Sequence, residues 1–282
     1  MNPFAAYKKN VTSQFGEDGI IEEIFARIGT TTKLCVEFGA WDGKHCSNTW
    51  KLWHEEGWGA VLIESLESRV DRLKQDLVEY PKVIPHVAFV KPEGPQSLDA
   101  MLPALIGSQT VDLMSIDIDS DDGRIFEALK TYLPRVAIVE YNPTIPPHLS
   151  LIQEEGEYFG TSAKALVDIG RKKGYTLVAM TTTNCFFVKD EELPKLKLEA
   201  VPSLEELFIY DSLTCVISSF GGSLLTTRIP LYSKPDRLTP MESVPRFTGD
   251  VALIPLLHFK TEPFSKVLYQ KVMGKVRGFF KK

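Results

Sequence analysis

Between Leu34 and Asn48 the chain reads LCVEFGAWDGKHCSN. Leu34 to Phe38 is a short apolar run of the kind that forms a buried strand, with one carboxylate, Glu37, near its end. Gly39, Ala40, Trp41, Asp42 and Gly43 follow at once, and Thr49, Trp50, Leu52 and Trp53 begin a helical pattern. A strand that turns sharply through two glycines into a helix leaves backbone N–H groups facing a crevice at the strand's carboxyl end. The spacing Gly39-x-x-x-Gly43 fits neither the dinucleotide fingerprint nor the phosphate loop, since no Ser or Thr follows Lys44. A carboxylate beside such a turn suits a cationic ligand and repels a pyrophosphate.

Three further apolar runs end in acids. Ala60 to Ile63 leads into Glu64, roughly 20 residues past the glycine turn, where an acid is placed to accept hydrogen bonds from a ribose diol or is simply a solvated strand end. Val111 to Ile118 runs into Asp117, Asp119, Asp121 and Asp122, a density of negative charge that calls for something positive nearby. Val136 to Val139 ends in Glu140, followed by Tyr141, Asn142 and a proline-rich loop carrying His148.

The elements that position these groups alternate. An amphipathic helix is expected from Glu17 to Ile28, with Glu17 and Asp18 complementing its dipole. Strands are expected at 34–38, 60–64, 83–90, 111–118 and 136–140, separated by helical patterns. A further helix ends at Gly174, and Tyr175–Met180 and Cys185–Val188 read as an antiparallel hairpin around Asn184, taken as a turn residue. This order is that of a doubly wound, mainly parallel sheet. With 282 residues and 44% hydrophobic composition the chain can bury a sizeable core, and its net charge of -5 argues against a general nucleic-acid binder. Four scattered cysteines, Cys35, Cys46, Cys185 and Cys215, suggest neither a zinc site nor a disulfide framework. No run reaches the roughly 18 apolar residues of a membrane span, so a cytoplasmic protein is expected.

Four segments, SQFGEDGIIEEIF, CVEFGAWDGKHCSNT, DLMSIDIDSDDGRIFEAL and VAIVEYNPTIPP, together resemble a bacterial, largely uncharacterised branch of the FkbM-like methyltransferases over roughly residues 13 to 190. The first glycine turn is similar to the first motif of class I S-adenosylmethionine (SAM) dependent methyltransferases. The resemblance implies an α/β, Rossmann-like seven-stranded sheet with a C-terminal extension, and SAM as cofactor. It implies cofactor contacts at Gln14, Glu37, Gly39, Ala40, Trp41, Asp42, Gly43, Glu64 and Asp117. The acids after the fourth and fifth strands are also similar to the metal site of catechol and macrolide-sugar O-methyltransferases. That likeness implies ligation of Mg²⁺, or of Mn²⁺ or Ca²⁺, by Asp117, Asp119, Glu140 and Asn142, although the intervening Tyr141 departs from the pattern and puts Asn142 in question.

A metal of this kind lowers the pKa of a sugar hydroxyl, and Asp119 or His148 then takes the proton, with Asp117 as the base if the site is metal-free. His148 has the plainer reading of a solvated loop histidine. The expected function is O-methylation of a hydroxyl in a sugar, polysaccharide or glycolipid precursor. A non-catalytic binding module in a glycan-assembly complex and a different Rossmann-type enzyme are the alternatives. The expected organisation is a SAM-binding domain at 1–190, an irregular covering segment at 191–262 and a basic amphipathic helix at 263–282. That helix can lie on the anionic inner face of a membrane or pack on the protein with its basic side in water. Acceptor identity and oligomeric state are not legible.

Overall fold

The computed structural model describes residues 2–118, 121–157 and 159–213, together with the backbone of two short strands, Val216–Ser218 and Leu224–Thr226. Expectations for Asp119, for the segment beyond these strands and for the basic tail lie outside the described residues.

Helix α1 (Glu17–Ile28) leads to strand β1 (Leu34–Phe38), then α2 (Trp50–Glu55), β2 (Gly59–Glu64), α3 (Glu67–Asp76), β3 (Val83–Val87) and α4 (Leu98–Ile106). Next come β4 (Leu113–Ile116), α5 (Asp122–Ala128), β5 (Val136–Glu140), α6 (Ala163–Lys172), β6 (Tyr175–Met180) and β7 (Asn184–Lys189). Two single-turn helices follow, α7 (Leu193–Leu196) and α8 (Leu204–Leu207), and the short strands β8 (Val216–Ser218) and β9 (Leu224–Thr226) pair with each other. The main sheet has seven strands in the order β3-β2-β1-β4-β5-β7-β6. All its pairings are parallel except those of β7, which runs antiparallel to both β5 and β6. This is the doubly wound, mainly parallel sheet expected from the sequence. The chain divides into two units, Met1–Ile209, which contains this sheet, and Tyr210–Lys282, which contains the β8–β9 pair.

The elements form for local reasons. β1 and β4 are buried along their whole length and β5 up to Glu140, as strands inside a parallel sheet are. α1 buries Ile20, Ile21, Ile24, Phe25 and Ile28 at helical spacing and stops at Gly29, whose φ of +68° is open to glycine. α6 begins at Ser162, whose hydroxyl accepts from the Ala165 N–H, and α8 begins in a capping box made by Ser203 and Glu206. β3 ends at Val87, shorter than the expected 83–90, though the Ala88 N–H still bonds the Glu64 carbonyl.

Alternation along the strands divides the sheet into two faces. Cys35, Leu62, Leu113, Ile138 and Phe186 pack against α1 in one apolar cluster. Two residues onward on each chain, the same face carries Glu37, Glu64, Ser115, Glu140 and, running backward along β7, Asn184. The core under α1 therefore becomes polar as it reaches the carboxyl edge of the sheet.

Candidate functional site at the carboxyl edge of the sheet

Pairing fixes the order of groups along that edge. Phe38 stands between Ile63 and Ile116, Ile116 beside Val139, and Glu140 opposite Asn184. One residue further, Glu64, Gly39, Asp117, Glu140 and Asn184 form a row across five strands, about 5 Å apart from one to the next. Gly39 lies hard against its neighbour: a Cβ there would fall 2.1 Å from the Asp117 carbonyl oxygen.

Carboxylates hold the loop after β1 in shape. Both oxygens of Glu37 accept internal bonds, Oε2 from Ser47 Oγ at 2.6 Å and Thr49 Oγ1 at 2.7 Å, and Oε1 from the Asn48 N–H at 2.8 Å. The Asn48 side-chain amide reaches across to Ser115 Oγ at 3.0 Å. Burial pushes the Glu37 carboxyl above the usual range, against the pull of these three donors. Asp42 accepts from the N–H groups of His45 and Lys44 at 2.7 and 3.0 Å. Burial works to raise the Asp42 carboxyl, but these N–H groups outweigh it and leave it below its usual range. Gly39 and Gly43 have φ of +78° and +76°, and Trp41 and Cys46 share the left-handed region at +48° and +58°. The strain at the two side-chain-bearing residues persists because the surrounding bonds fix the loop.

Glu64 is buried, and Oε2 accepts a bond from the Trp41 N–H at 3.0 Å. Its other oxygen takes Leu66 N–H, Ser65 Oγ and, at 3.4 Å, Arg69 Nη1. The Arg69 guanidinium lies 3.8 Å from the centre of the Trp41 ring, which is 51% exposed.

The segment before α1 closes over the other end. Gln14 is exposed and donates to Cys46 Sγ at 2.9 Å, and Thr12 Oγ1 donates to the Ser47 carbonyl. Asp18 Oδ2 gathers the N–H groups of Val11, Thr12 and Ser13 and the Ser13 hydroxyl, all within 2.6–3.0 Å. Its Oδ1 is buried without a partner among the described residues. Glu17 accepts from the Phe15 N–H at 2.7 Å and faces the Asn184 amide at 3.5 Å. Among the described residues, none of the buried carboxylates Glu17, Asp18 and Glu37 forms an ion pair.

The sequence-expected residues are only partly brought together. Gly39, Glu64, Asp117 and Glu140 share the row, with Ala40, Trp41, Asp42 and Gly43 in the loop above it, and Asp117 and Glu140 are half-buried. Asn142 is engaged in its own loop: Oδ1 accepts from Thr144 N–H and Oγ1 at 2.8 and 2.6 Å, and Nδ2 donates to the Phe159 carbonyl at 2.8 Å. Both lone-pair directions of its amide oxygen are thus filled. His148 sits exposed on a turn. Among the described residues no three His, Cys, Asp or Glu side chains stand close enough to hold a metal ion, and of the expected ligands Asp119 lies outside the described residues. Sequence reasoning missed Ser47, Asn48 and Thr49 as partners of Glu37, and Arg69 as partner of Glu64. The run Ser47-Asn48-Thr49 before an apolar helix was the available signal, since such residues accept or donate at helix starts.

No protein-family model matches this sequence, and no curated protein matches it. Among solved structures it is similar to the CMeT domain of the citrinin polyketide synthase, at 16% identity and a TM-score of 0.42, over 61% of this chain and 50% of that one. It is also similar to a SAM-dependent methyltransferase from Aquifex aeolicus, at 12% identity and a TM-score of 0.38, over 61% of this chain and 88% of that one. A third is PKMT2 from Rickettsia typhi in complex with AdoHcy, at 14% identity and a TM-score of 0.33, over 46% and 25% of the two chains. The matched region spans half the length of the first of these and a quarter of the third. Likeness at this level adds no residue to the site. Among the described residues no helix is long and apolar enough to cross a membrane.

Proposed function

We propose that the chain is a SAM-dependent O-methyltransferase acting on a hydroxyl of a sugar or polysaccharide-type acceptor. The observation that carries this reading is the acid-lined carboxyl edge, where buried Glu17, Asp18 and Glu37 have no ion-pair partner among the described residues. A site of this charge favours a cationic ligand. At an effective dielectric of about 20, a carboxylate within about 8 Å of a positive centre contributes about 2 kcal/mol of attraction. SAM supplies a methyl group on a positively charged sulfur and carries an ammonium beside it.

The residues divide the work along the row. The turn from Gly39 to Gly43 gives a ligand close approach to the backbone. Glu64 Oε2 carries one hydrogen bond, which leaves it able to accept from a ribose hydroxyl. Glu37 is a positioning residue that fixes the loop through Ser47, Asn48 and Thr49. Asp117, next to Gly39, is the group that takes the proton from the acceptor hydroxyl.

Calorimetric titration with S-adenosylhomocysteine tests the cofactor. Micromolar binding by the wild type, weakened about tenfold in Glu64→Ala by loss of a charge-assisted hydrogen bond, is expected. Absence of heat from a well-folded sample sinks the reading. Binding without transfer of labelled methyl to any glycan acceptor leaves the chain a binding module.

A further inference from the structure

The half of the row that the cofactor reading does not use contains an unmet hydrogen-bond acceptor. Asn184 is 3% exposed and its amide nitrogen donates to Thr183 Oγ1 at 3.3 Å and Glu17 Oε1 at 3.5 Å. Its Oδ1 is buried and has no partner among the described residues. Flipping the amide would aim the carbonyl oxygen at the Glu17 carboxylate, so Glu17 fixes the orientation that leaves Oδ1 unpaired. A buried carbonyl left this way costs free energy unless something donates to it. Glu17 itself is 1% exposed and belongs to the helix packed across this face, not to the strand that carries Asn184.

We propose that Glu17 and Asn184 form an acceptor-anchoring subsite that takes neighbouring hydroxyl donors of an uncharged polyol. This rests on the methyltransferase reading. The atoms the subsite leaves to a ligand, Asn184 Oδ1 and the Glu17 carboxylate, accept hydrogen bonds, which selects a ligand that donates. Glu17 lies beside Asn184, and its carboxylate repels phosphate and carboxylate groups. Asn184 lies two strands from Asp117, about 10 Å away. That separation matches the span of a single sugar ring with a hydrogen bond of about 2.8 Å at either end. The anchor therefore decides which ring hydroxyl faces the methyl donor.

The test uses full-length protein saturated with S-adenosylhomocysteine, with methyl glucoside, methyl galactoside, methyl mannoside, glucosamine and glucuronate as probes in saturation-transfer NMR titrations. At least one neutral glycoside is expected to bind, about tenfold more weakly to Asn184→Ala, while homocysteine-cofactor affinity stays within about twofold. Glu17→Gln, which keeps shape and removes charge, is expected to admit glucuronate that the wild type refuses. Unchanged glycoside binding in both folded variants overturns the subsite and leaves an ordered water on Asn184. Binding of glucosamine alone, or of no probe, by the loaded wild type overturns it too. Failure to load the cofactor is a different result, because it removes the methyltransferase reading on which the subsite rests.

Discussion

Two glycines with similar backbone angles separate local strain from contact. Gly29 and Gly39 have φ of +68° and +78°, but a Cβ at Gly29 meets nothing within 4 Å, whereas at Gly39 it falls 2.1 Å from the Asp117 carbonyl oxygen. Gly29→Ala should cost about 1 kcal/mol, the strain of a side chain in the left-handed region, and lower the melting temperature by about 2–4 °C. Gly39→Ala adds a backbone collision and must push β1 and β4 apart at the site. It should therefore melt well below Gly29→Ala and lose cofactor binding, measured by thermal denaturation and calorimetry on the two variants side by side. Equal melting points would mean that the strand ends are free to separate. Residue type alone made Gly39 legible as a turn. Its approach to a chain segment 78 positions away is visible only in the register.

At the scale of elements, side-chain carboxylates stitch loops together. Asp18 holds the N–H groups of residues 11–13, Asp112 those of residues 31–33, and Asp99 those of residues 130–132. Each fills a small nest of consecutive donors, a local stand-in for an anion site. This explains which part of the molecule the sequence displays. Strands, helices and their order follow from apolar spacing, and so does the placing of Glu64, Asp117 and Glu140 at strand ends. Whether such an acid faces a ligand or its own loop depends on partners chosen by the fold. Glu37 satisfies residues 10 to 12 positions onward, and Asn184 meets Glu17 across 167 positions. The long connection after β5 is organised the same way. Buried Gln153 accepts from Gly160 N–H at 2.7 Å and donates to Asp121 Oδ1 at 3.2 Å, joining this connection to the loop after β4. Gln153→Ala leaves the Gly160 N–H unmatched, while Asp121 Oδ1 keeps Arg124 at 3.1 Å, and should cost about 1–2 kcal/mol. Faster limited proteolysis between residues 143 and 160, with cleavage elsewhere unchanged, is the expected result; an unchanged pattern would show that the bridge from Ile152 to Thr161 suffices.

Across the whole molecule, the two ends of the sheet treat charge oppositely. At the carboxyl edge buried Glu17, Asp18 and Glu37 form no ion pair among the described residues, while the amino edge closes its buried acids with arginine. Arg135, just before β5, bonds Asp112 at 2.9 Å and Glu192 at 2.8 Å. Its remaining N–H groups reach the carbonyls of Gly29 and Ile28, so the same guanidinium caps the end of α1. The network thus fixes the helix whose other end carries Glu17 and Asp18. Hydrogen bonding to Arg135, reinforced by Lys195 and opposed by burial, lowers the Glu192 carboxyl from 4.5 to about 2. A carboxyl depressed in the folded state contributes stability that is complete above pH 4.5 and is lost as pH falls through about 2. At about 1.4 kcal/mol per unit, that contribution is about 3 kcal/mol, an upper figure for a group sharing its partner with Asp112. Glu192→Gln removes this charge and should flatten the loss of stability between pH 4.5 and 2 while lowering stability at pH 7. Urea unfolding of wild type and variant across that range measures it. Parallel curves would place the acid sensitivity in other carboxylates. Glu37, raised by burial, contributes stability that is lost as pH climbs through its range, so Glu37 and Glu192, at opposite ends of one sheet, pull the pH optimum in opposite directions.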